Sequence, residues 1–257
     1  MTRTVAAPGR WIRFPWRRPP SAAVRLFCLP YAGGSAMAFR DWIQASDTGV
    51  EVAAVQLPGR GDRCDEPPCE RFAPLVARLR DELAPHLDRP YALYGHSFGG
   101  HLGLALARTL RPAPVALFVG ACTPPSVYRS QPPEPVEDDA ALLAWLRGLG
   151  GTPDAVLDDP HLRGLVLPPL RGDLRVLADS RRLRPGAPAD HPIHAFAGSA
   201  DPVAPPSAMG AWAAETRGVF TCETVPGSHL FLAESGAAVL ARILERISPP
   251  PSPQLPS

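Results

Sequence analysis

The chain has 257 residues, of which 45% are hydrophobic and 20% charged, so it is long enough for one large core and short enough for a single domain. Its 26 basic and 25 acidic residues nearly cancel, which disfavours a nucleic-acid-binding protein, because such proteins carry a basic excess. No apolar run approaches the roughly 18 residues of a membrane span, and no secretion signal follows the Arg-rich N-terminus. Five cysteines without metal-ligand or redox spacing favour thiols in a reducing cytoplasm. We therefore expect a cytoplasmic protein.

The two ends of the chain differ in composition from the rest. Residues 1–23 are rich in Arg, Pro and Trp and lack periodicity, which predicts a poorly ordered arm. Within this arm we expect Trp11, Phe14 and Trp16 to pack on the folded domain. Residues 248–257 contain five prolines, which predicts a disordered tail.

Between these ends, residues 24–247 alternate short apolar runs with helical patterns. The predicted strands are Val24–Leu29, Val50–Leu57, Tyr91–Tyr94, Val115–Val119, Ile193–Ala197 and Phe220–Val225. The predicted helices are Phe72–Ala84, Gly100–Leu110, Ser207–Thr216 and Ser235–Ile247. Near-continuous apolar strands suit a parallel sheet covered on both faces. The alternation of strand and helix therefore predicts an α/β domain with a mostly parallel central sheet.

One segment, residues 123–190, interrupts this alternation. It starts with a Pro-rich stretch and continues with helical patterns over Asp139–Arg147, Pro153–Leu157 and His161–Arg182. The last of these should be kinked or broken at Pro168–Pro169, because proline lacks the N–H that the helix needs. The segment is too long for a plain connection, and such insertions are usually functional, so we predict a helical lid.

The segment Gly95–Gly99 matches the pattern G-x-S-x-G, with Ser97 at its centre. The pattern alone is weak, since an ordinary Gly-rich turn also produces it. Its context is specific, however, because an apolar strand ends at Tyr94 and a helix opens near Gly99. Such a turn forces the central residue into a strained conformation above the sheet. We therefore predict that Ser97 is a catalytic nucleophile.

A serine nucleophile needs a base and an acid that orients the base. His96 and His101 flank the turn, but their adjacency in sequence points them elsewhere. His229 follows the last predicted strand, where the chain order serine, acid, histidine places the base. Asp201 follows the preceding strand, whereas Gly120–Thr123, after the strand before that, contains no carboxylate. We therefore predict His229 as the base and Asp201 as the acid.

An acyl-transfer site also needs donors for the oxyanion that forms during attack. One donor should be the backbone N–H of Phe98, at the start of the helix after the nucleophile. The other should come from the Gly-rich loop of residues 30–35, whose glycines let the backbone approach a substrate closely. Tyr31 and Ala32 are both candidates for this second N–H, and spacing does not choose between them.

Three motifs together resemble type II thioesterases of polyketide and nonribosomal peptide synthesis. They are Leu29–Ser35, Gln56–Arg63 and Tyr94–Gly100. Supporting similarity lies in Trp11–Phe14 of the arm and in Gly148–Pro153 and Leu167–Arg171 of the insertion, which resemble the family's lid. The resemblance spans about residues 11–247. It departs from the family pattern at Gly61, where an acidic residue is more usual, and at Ser199, where a second Asp often follows the Gly, and neither departure touches a proposed catalytic atom. It implies an α/β-hydrolase fold with a helical lid.

The resemblance also implies a substrate and a role. Such an enzyme hydrolyses acyl groups from the phosphopantetheine of acyl or peptidyl carrier proteins, and so edits stalled or misprimed chains. It implies no metal and no cofactor, and its partner is the carrier protein rather than a nucleic acid or a membrane. We expect a monomer. The alternatives are a general carboxylesterase or acyltransferase of the same fold, and a non-catalytic module that docks on carrier proteins.

A cluster of charges lies in the second motif. Arg60, Asp62 and Arg63 are close in sequence, and we expect them to form a local salt-bridge loop. Contact with a carrier protein is the alternative that we favour less.

Overall fold

A computed structural model describes residues 11–15, 22–46, 49–130, 137–150, 152–183 and 186–247. The strands in these residues are β1 (Ile12–Arg13), β2 (Val24–Leu29), β3 (Val50–Val55), β4 (Tyr91–His96), β5 (Leu117–Gly120), β6 (Ile193–Gly198) and β7 (Phe220–Val225). They form one sheet in the order β1–β3–β2–β4–β5–β6–β7. Neighbouring strands from β3 to β7 are parallel, and β1 runs antiparallel to β3. The predicted mostly parallel sheet is confirmed.

The helices that the structure describes are α1 (Arg40–Gln44), α2 (Phe72–Leu83), α3 (Phe98–Thr109), α4 (Pro125–Tyr128), α5 (Asp139–Leu149), α6 (Asp154–Asp158), α7 (Pro160–Ser180), α8 (Pro206–Met209) and α9 (Leu232–Ile247). One helix predicted as a single element, Ser207–Thr216, is instead the short α8 followed by a 3₁₀ helix over Gly210–Glu215. Gly210 between them is a poor helix former. The tighter turn buries Trp212, whose indole N–H donates to the carbonyl of Cys122.

The sheet is covered on both faces, as its apolar strands require. Successive residues of a strand point to opposite faces, so Phe27 and Leu29 of β2 join a core under α2 and α3. Leu26 and Cys28 of the same strand join a second core under α1 and α9. All six residues of β2 are buried. Because strands β2 to β7 run parallel, their carboxyl ends lie along one edge of the sheet.

Residues 11–15 belong to the predicted poorly ordered arm, but the structure places two of them, Ile12–Arg13, in the sheet as β1. Ile12 pairs with Val55, and Trp11 is buried with its ring facing the Arg63 guanidinium at 4.3 Å. A two-residue strand is too short to produce an alternating apolar and polar pattern in the sequence, so only the packing of the aromatic residues was predictable. Trp16 and the predicted tail lie outside the described residues.

The insertion between β5 and β6 is helical in its described part, as predicted, and it has a small core of its own. Seven buried leucines form this core, namely Leu142, Leu143, Leu146, Leu157, Leu167, Leu170 and Leu174. We call α5, α6 and α7 the lid helices. Helix α7 continues through Pro168 and Pro169, so it is not broken there. Each proline removes one helical hydrogen bond, and burial of the neighbouring leucines stabilises the continuous helix.

Among the residues that the structure describes, no helix is both long enough and apolar enough to cross a membrane.

Candidate active site

Ser97 occupies a sharp turn between β4 and α3. Its backbone has φ 51° and ψ −115°, a left-handed conformation that a residue other than glycine rarely adopts. A Cβ atom on Gly95 would lie 2.2 Å from the carbonyl oxygen of Gly99, and one on Gly99 would lie 2.2 Å from that of Leu29. Both positions therefore require glycine, because the backbone approaches too closely for any side chain. The strained turn predicted from the G-x-S-x-G pattern is present.

Three side chains predicted from the sequence form one hydrogen-bonded chain. The Oγ atom of Ser97 lies 2.9 Å from Nε2 of His229. The Nδ1 atom of His229 lies 2.9 Å from Oδ2 and 3.0 Å from Oδ1 of Asp201. A carboxylate only accepts hydrogen bonds, so Nδ1 carries the imidazole proton and Nε2 is left to accept from the serine hydroxyl. This tautomer is the one that a general base needs.

The carboxylate of Asp201 is held by its own loop as well as by the imidazole. Its Oδ1 atom accepts the backbone N–H groups of Val203 at 2.8 Å and Ala204 at 3.0 Å. Burial by itself would raise the pKa of Asp201, but the hydrogen bond and charge of His229 together with the two N–H groups lower it below the usual value. The group therefore stays ionised at neutral pH and can stabilise a protonated imidazole.

The two loops that carry the aspartate and the histidine pack directly on one another. The N–H of Ala200 donates to the carbonyl of Gly227 at 3.0 Å. A Cβ atom on Gly198 would lie 2.4 Å from the carbonyl oxygen of Ser228, so glycine is required there. Gly227 has φ +118°, which also favours glycine. These contacts fix the relative position of two side chains that are far apart in sequence.

His96 contributes to the site in a way that sequence reasoning missed. It is fully buried beneath the base, where its Nε2 atom donates to the carbonyl oxygen of His229 at 2.7 Å. The hydroxyl of Tyr94 lies 3.0 Å from its Nδ1 atom and donates to it. Burial, reinforced by the proximity of His229, lowers the pKa of His96 to about 3, so the ring is neutral. No sequence pattern signals this bond, because its partner is a main-chain atom 133 residues away.

Two cavities meet at Ser97. The smaller, of about 40 Å³, is bordered by Ala32, Phe98, Trp145 and residues of α7. The larger, of about 290 Å³, is bordered by Tyr31, Ala32, the following glycines and the lid helices. Among the lid residues, Trp145 borders both cavities, and Leu146 and Val166 border the larger one. All three predicted oxyanion residues therefore border a cavity that contains Ser97.

The predicted local salt-bridge loop is only partly correct. Arg63 does pair locally, with Glu66 three residues away. Arg60 instead reaches α7, where its Nη2 atom lies 2.8 Å from Oδ1 of Asp173. Asp62 pairs with an arginine of β1. Two of the three charges thus bind segments distant in sequence, which adjacency in the chain could not reveal.

A mostly parallel sheet, with a serine at a strained strand-to-helix turn and a helical insertion above it, defines the α/β-hydrolase fold. Comparison with known proteins narrows this class. Residues 24–248 match the family "Thioesterase domain". The chain is 36% identical to the gramicidin S biosynthesis protein GrsT of Aneurinibacillus migulanus, over 84% of this chain and 85% of that protein.

Solved structures agree with this assignment. The type II thioesterase BorB from the borrelidin biosynthetic cluster is 38% identical, with a TM-score of 0.83 over 93% of this chain and 98% of that one. The thioesterase RedJ from the prodiginine pathway of Streptomyces coelicolor is also 38% identical, with a TM-score of 0.82 over 95% and 97%. The chain belongs to the thioesterase family, and its close relatives are type II thioesterases of polyketide and nonribosomal peptide biosynthesis. The family resemblance predicted from the sequence is confirmed.

Proposed function

We propose that the protein is a serine hydrolase that releases acyl groups from the phosphopantetheine thioesters of carrier proteins. The observation that carries this proposal is the hydrogen-bonded chain of Ser97, His229 and Asp201 at the turn between β4 and α3. A docking module without catalysis has no use for a serine held at 2.9 Å from a base. The geometry therefore favours an enzyme over the non-catalytic alternative.

In the proposed reaction, Ser97 Oγ attacks the thioester carbon while Nε2 of His229 accepts its proton. The ionised Asp201 stabilises the imidazolium that forms. The C–S bond then breaks, and His229 returns the proton to the leaving phosphopantetheine thiol. Water, deprotonated by His229, attacks the acyl-serine and releases the free carboxylic acid. The chain's own residues supply each proton transfer, so the mechanism calls for no cofactor.

The oxyanion that forms in each step is assigned to two backbone N–H groups. Phe98 supplies one, at the first turn of α3, where the helix dipole also favours negative charge. Ala32 or Tyr31 supplies the other. Ala32 borders both cavities at Ser97, whereas Tyr31 borders only the larger one in the described part of the chain, and this favours Ala32.

The shape of the site supports a substrate delivered on a slender arm. The larger cavity lies between the loop of residues 30–35 and the lid helices, with Ser97 and His229 on its wall. A phosphopantetheine arm can reach such a site while the carrier protein stays outside. By analogy with the biosynthetic relatives, the role is the removal of stalled or misprimed acyl groups. A cytoplasmic location and a monomeric state remain predictions.

The proposal is tested by presenting one acyl group on a carrier protein, on coenzyme A and on a truncated thiol. We expect the highest kcat/KM with the carrier, because binding energy remote from the reacting carbon can position the thioester against Ser97. Equal values for all three would show that the carrier is not recognised. A matched oxygen ester hydrolysed as fast as the thioester would favour the general carboxylesterase.

A further inference from the structure

A buried carboxylate on a lid helix contacts the loop that is proposed to supply the second oxyanion donor. Asp173 lies on α7 and is only 1% exposed. Its Oδ2 atom accepts the backbone N–H of Gly33 at 2.8 Å. We call residues 30–35 the oxyanion loop. Gly33 directly follows the two candidate donors in this loop, so the bond to Asp173 fixes the peptide next to them.

The same carboxylate is held in place by Arg60. Both terminal nitrogens of the guanidinium donate to the carboxylate of Asp173, and Arg60 is only 4% exposed. It also donates to the carbonyl of Gly34 at 3.2 Å and to that of Pro58 at 3.2 Å. A planar guanidinium with several fixed donors is suited to such a junction. Arg60 therefore joins the lid, the oxyanion loop and its own loop.

A third side chain, that of Gln56, connects Arg60 to the end of the oxyanion loop. Gln56 donates to the carbonyl of Arg60 at 2.8 Å and accepts the N–H of Ala36 at 2.9 Å, just after the oxyanion loop. Gly33 has φ +75°, and a Cβ atom there would lie 3.2 Å from Cβ of Leu170, on the turn of α7 before Asp173. The lid helix thus packs on the oxyanion loop as well as bonding to it. A displacement of α7 would remove both contacts at once.

We propose that Asp173 is a positioning residue for the oxyanion loop. The oxyanion site is then complete only when the lid helix α7 is packed against this loop. The inference rests on the proposed function of Ser97 and concerns the geometry of its transition state. Asp173 itself acts through Gly33 and does not touch the substrate. When α7 is lifted, the loop loses an anchor for the N–H next to its donors, and stabilisation of the oxyanion weakens.

The first test is Asp173→Asn, which replaces one of the two acceptor oxygens by an NH2 donor, so that the side chain can no longer accept from Gly33 and from both terminal nitrogens of Arg60. We expect kcat to fall by about tenfold with KM nearly unchanged, because misplacing an oxyanion donor should cost less than the 10²–10³ lost on deleting one. The affinity for a trifluoromethyl ketone, which forms an oxyanion on the serine, should fall by the same factor. A change in KM alone, with kcat and ketone affinity unaltered, would overturn the proposal.

The matched control is Glu51→Gln. Glu51 and Arg25 form a buried ion pair at the opposite edge of the sheet, with Arg25 Nε at 2.6 Å from Glu51 Oε2 and both side chains 2% exposed. This variant should lower the melting temperature as Asp173→Asn does, yet leave kcat within twofold of wild type. Equal losses of kcat in the two variants would mean that Asp173 matters only for stability.

A double variant, Arg60→Met with Asp173→Leu, keeps the test decisive if Asp173→Asn folds poorly. Replacing a buried ion pair by apolar side chains is often neutral for stability, because no charge is left unpaired. With leucine at position 173 the N–H of Gly33 has no side-chain acceptor there, so kcat and ketone affinity should be about tenfold lower than in wild type. Recovery of both together with stability would overturn the proposal. The proposed function fails separately, only if Ser97→Ala remains active.

Discussion

The sheet edge that holds the site and the lid helices above it are stabilised differently. Ser97 and Asp201 follow the buried strands β4 and β6, His229 follows the edge strand β7, and close backbone contacts at glycines fix their loops. The lid has a small leucine core, and several of its ion pairs are exposed, among them Arg147–Asp158 and Arg175–Glu137. Exposed ion pairs contribute little to stability. The catalytic residues therefore lie in the more rigid region of the molecule, and the lid helices above them are held more weakly.

The largest effect is expected when the nucleophile is removed. Ser97→Ala should fold normally and lose on the order of 10⁶ in kcat, the loss found when a coupled serine triad is deprived of its nucleophile. Turnover of a thioester substrate and the melting temperature are the two measurements. Activity within tenfold of wild type would move the chemistry away from this serine.

The acid is tested by a variant that keeps its shape. Asp201→Asn should lower kcat by roughly 10⁴, because the amide favours the wrong tautomer of His229, as in other serine hydrolases. Asp190→Asn is the control, since Asp190 has a side chain that is 87% exposed and pairs only with another exposed group among the interactions described. If the control loses activity and Asp201→Asn does not, the wrong acid has been chosen.

The lid helices should be less stable locally than the central strands of the sheet. Amide hydrogens of α5 and α7 should exchange through openings that cost at least about 2 kcal/mol less than those of β2 and β4. Those two central strands are buried on both faces, whereas the lid helices have a small core of their own and join the main core only at Val176 and Leu177 of α7 among the described residues. Hydrogen exchange followed by mass spectrometry measures both regions in one sample. Equal protection would show that the lid is as firmly held as the sheet.

The last prediction concerns His96 and the dependence of stability on pH. Its pKa is lowered to about 3 in the folded state, so between pH 6.5 and 3 the unfolded chain binds a proton that the native ring does not. The free energy of unfolding therefore falls with decreasing pH, by up to about 1.4 kcal/mol per pH unit for this group. His96→Gln keeps a donor for the carbonyl of His229 and removes the titration. Urea unfolding at several pH values should show that the free energy of unfolding of this variant falls less steeply at acid pH than that of wild type. An equally steep fall would contradict the lowered pKa of His96.

The α/β fold, the strained turn at Ser97 and the pairing of Asp201 with His229 could all be predicted from the sequence. These features leave local signals: apolar runs of strand length, glycines on both sides of the nucleophile, and a fixed chain order of serine, acid and histidine. Strand bounds were correct to within a few residues, and Val24–Leu29 and Phe220–Val225 agree at both ends.

The contacts that support the site, in contrast, could be found only in the folded structure. Asp173 meets Gly33 across 140 residues, and His96 meets the carbonyl of His229 across 133. Such bonds to main-chain atoms have no period and no motif, because any residue at the accepting or donating position supplies the same backbone group. The unbroken helix through Pro168 and Pro169 has the same origin, since burial of leucines distant in sequence outweighs the local preference of proline.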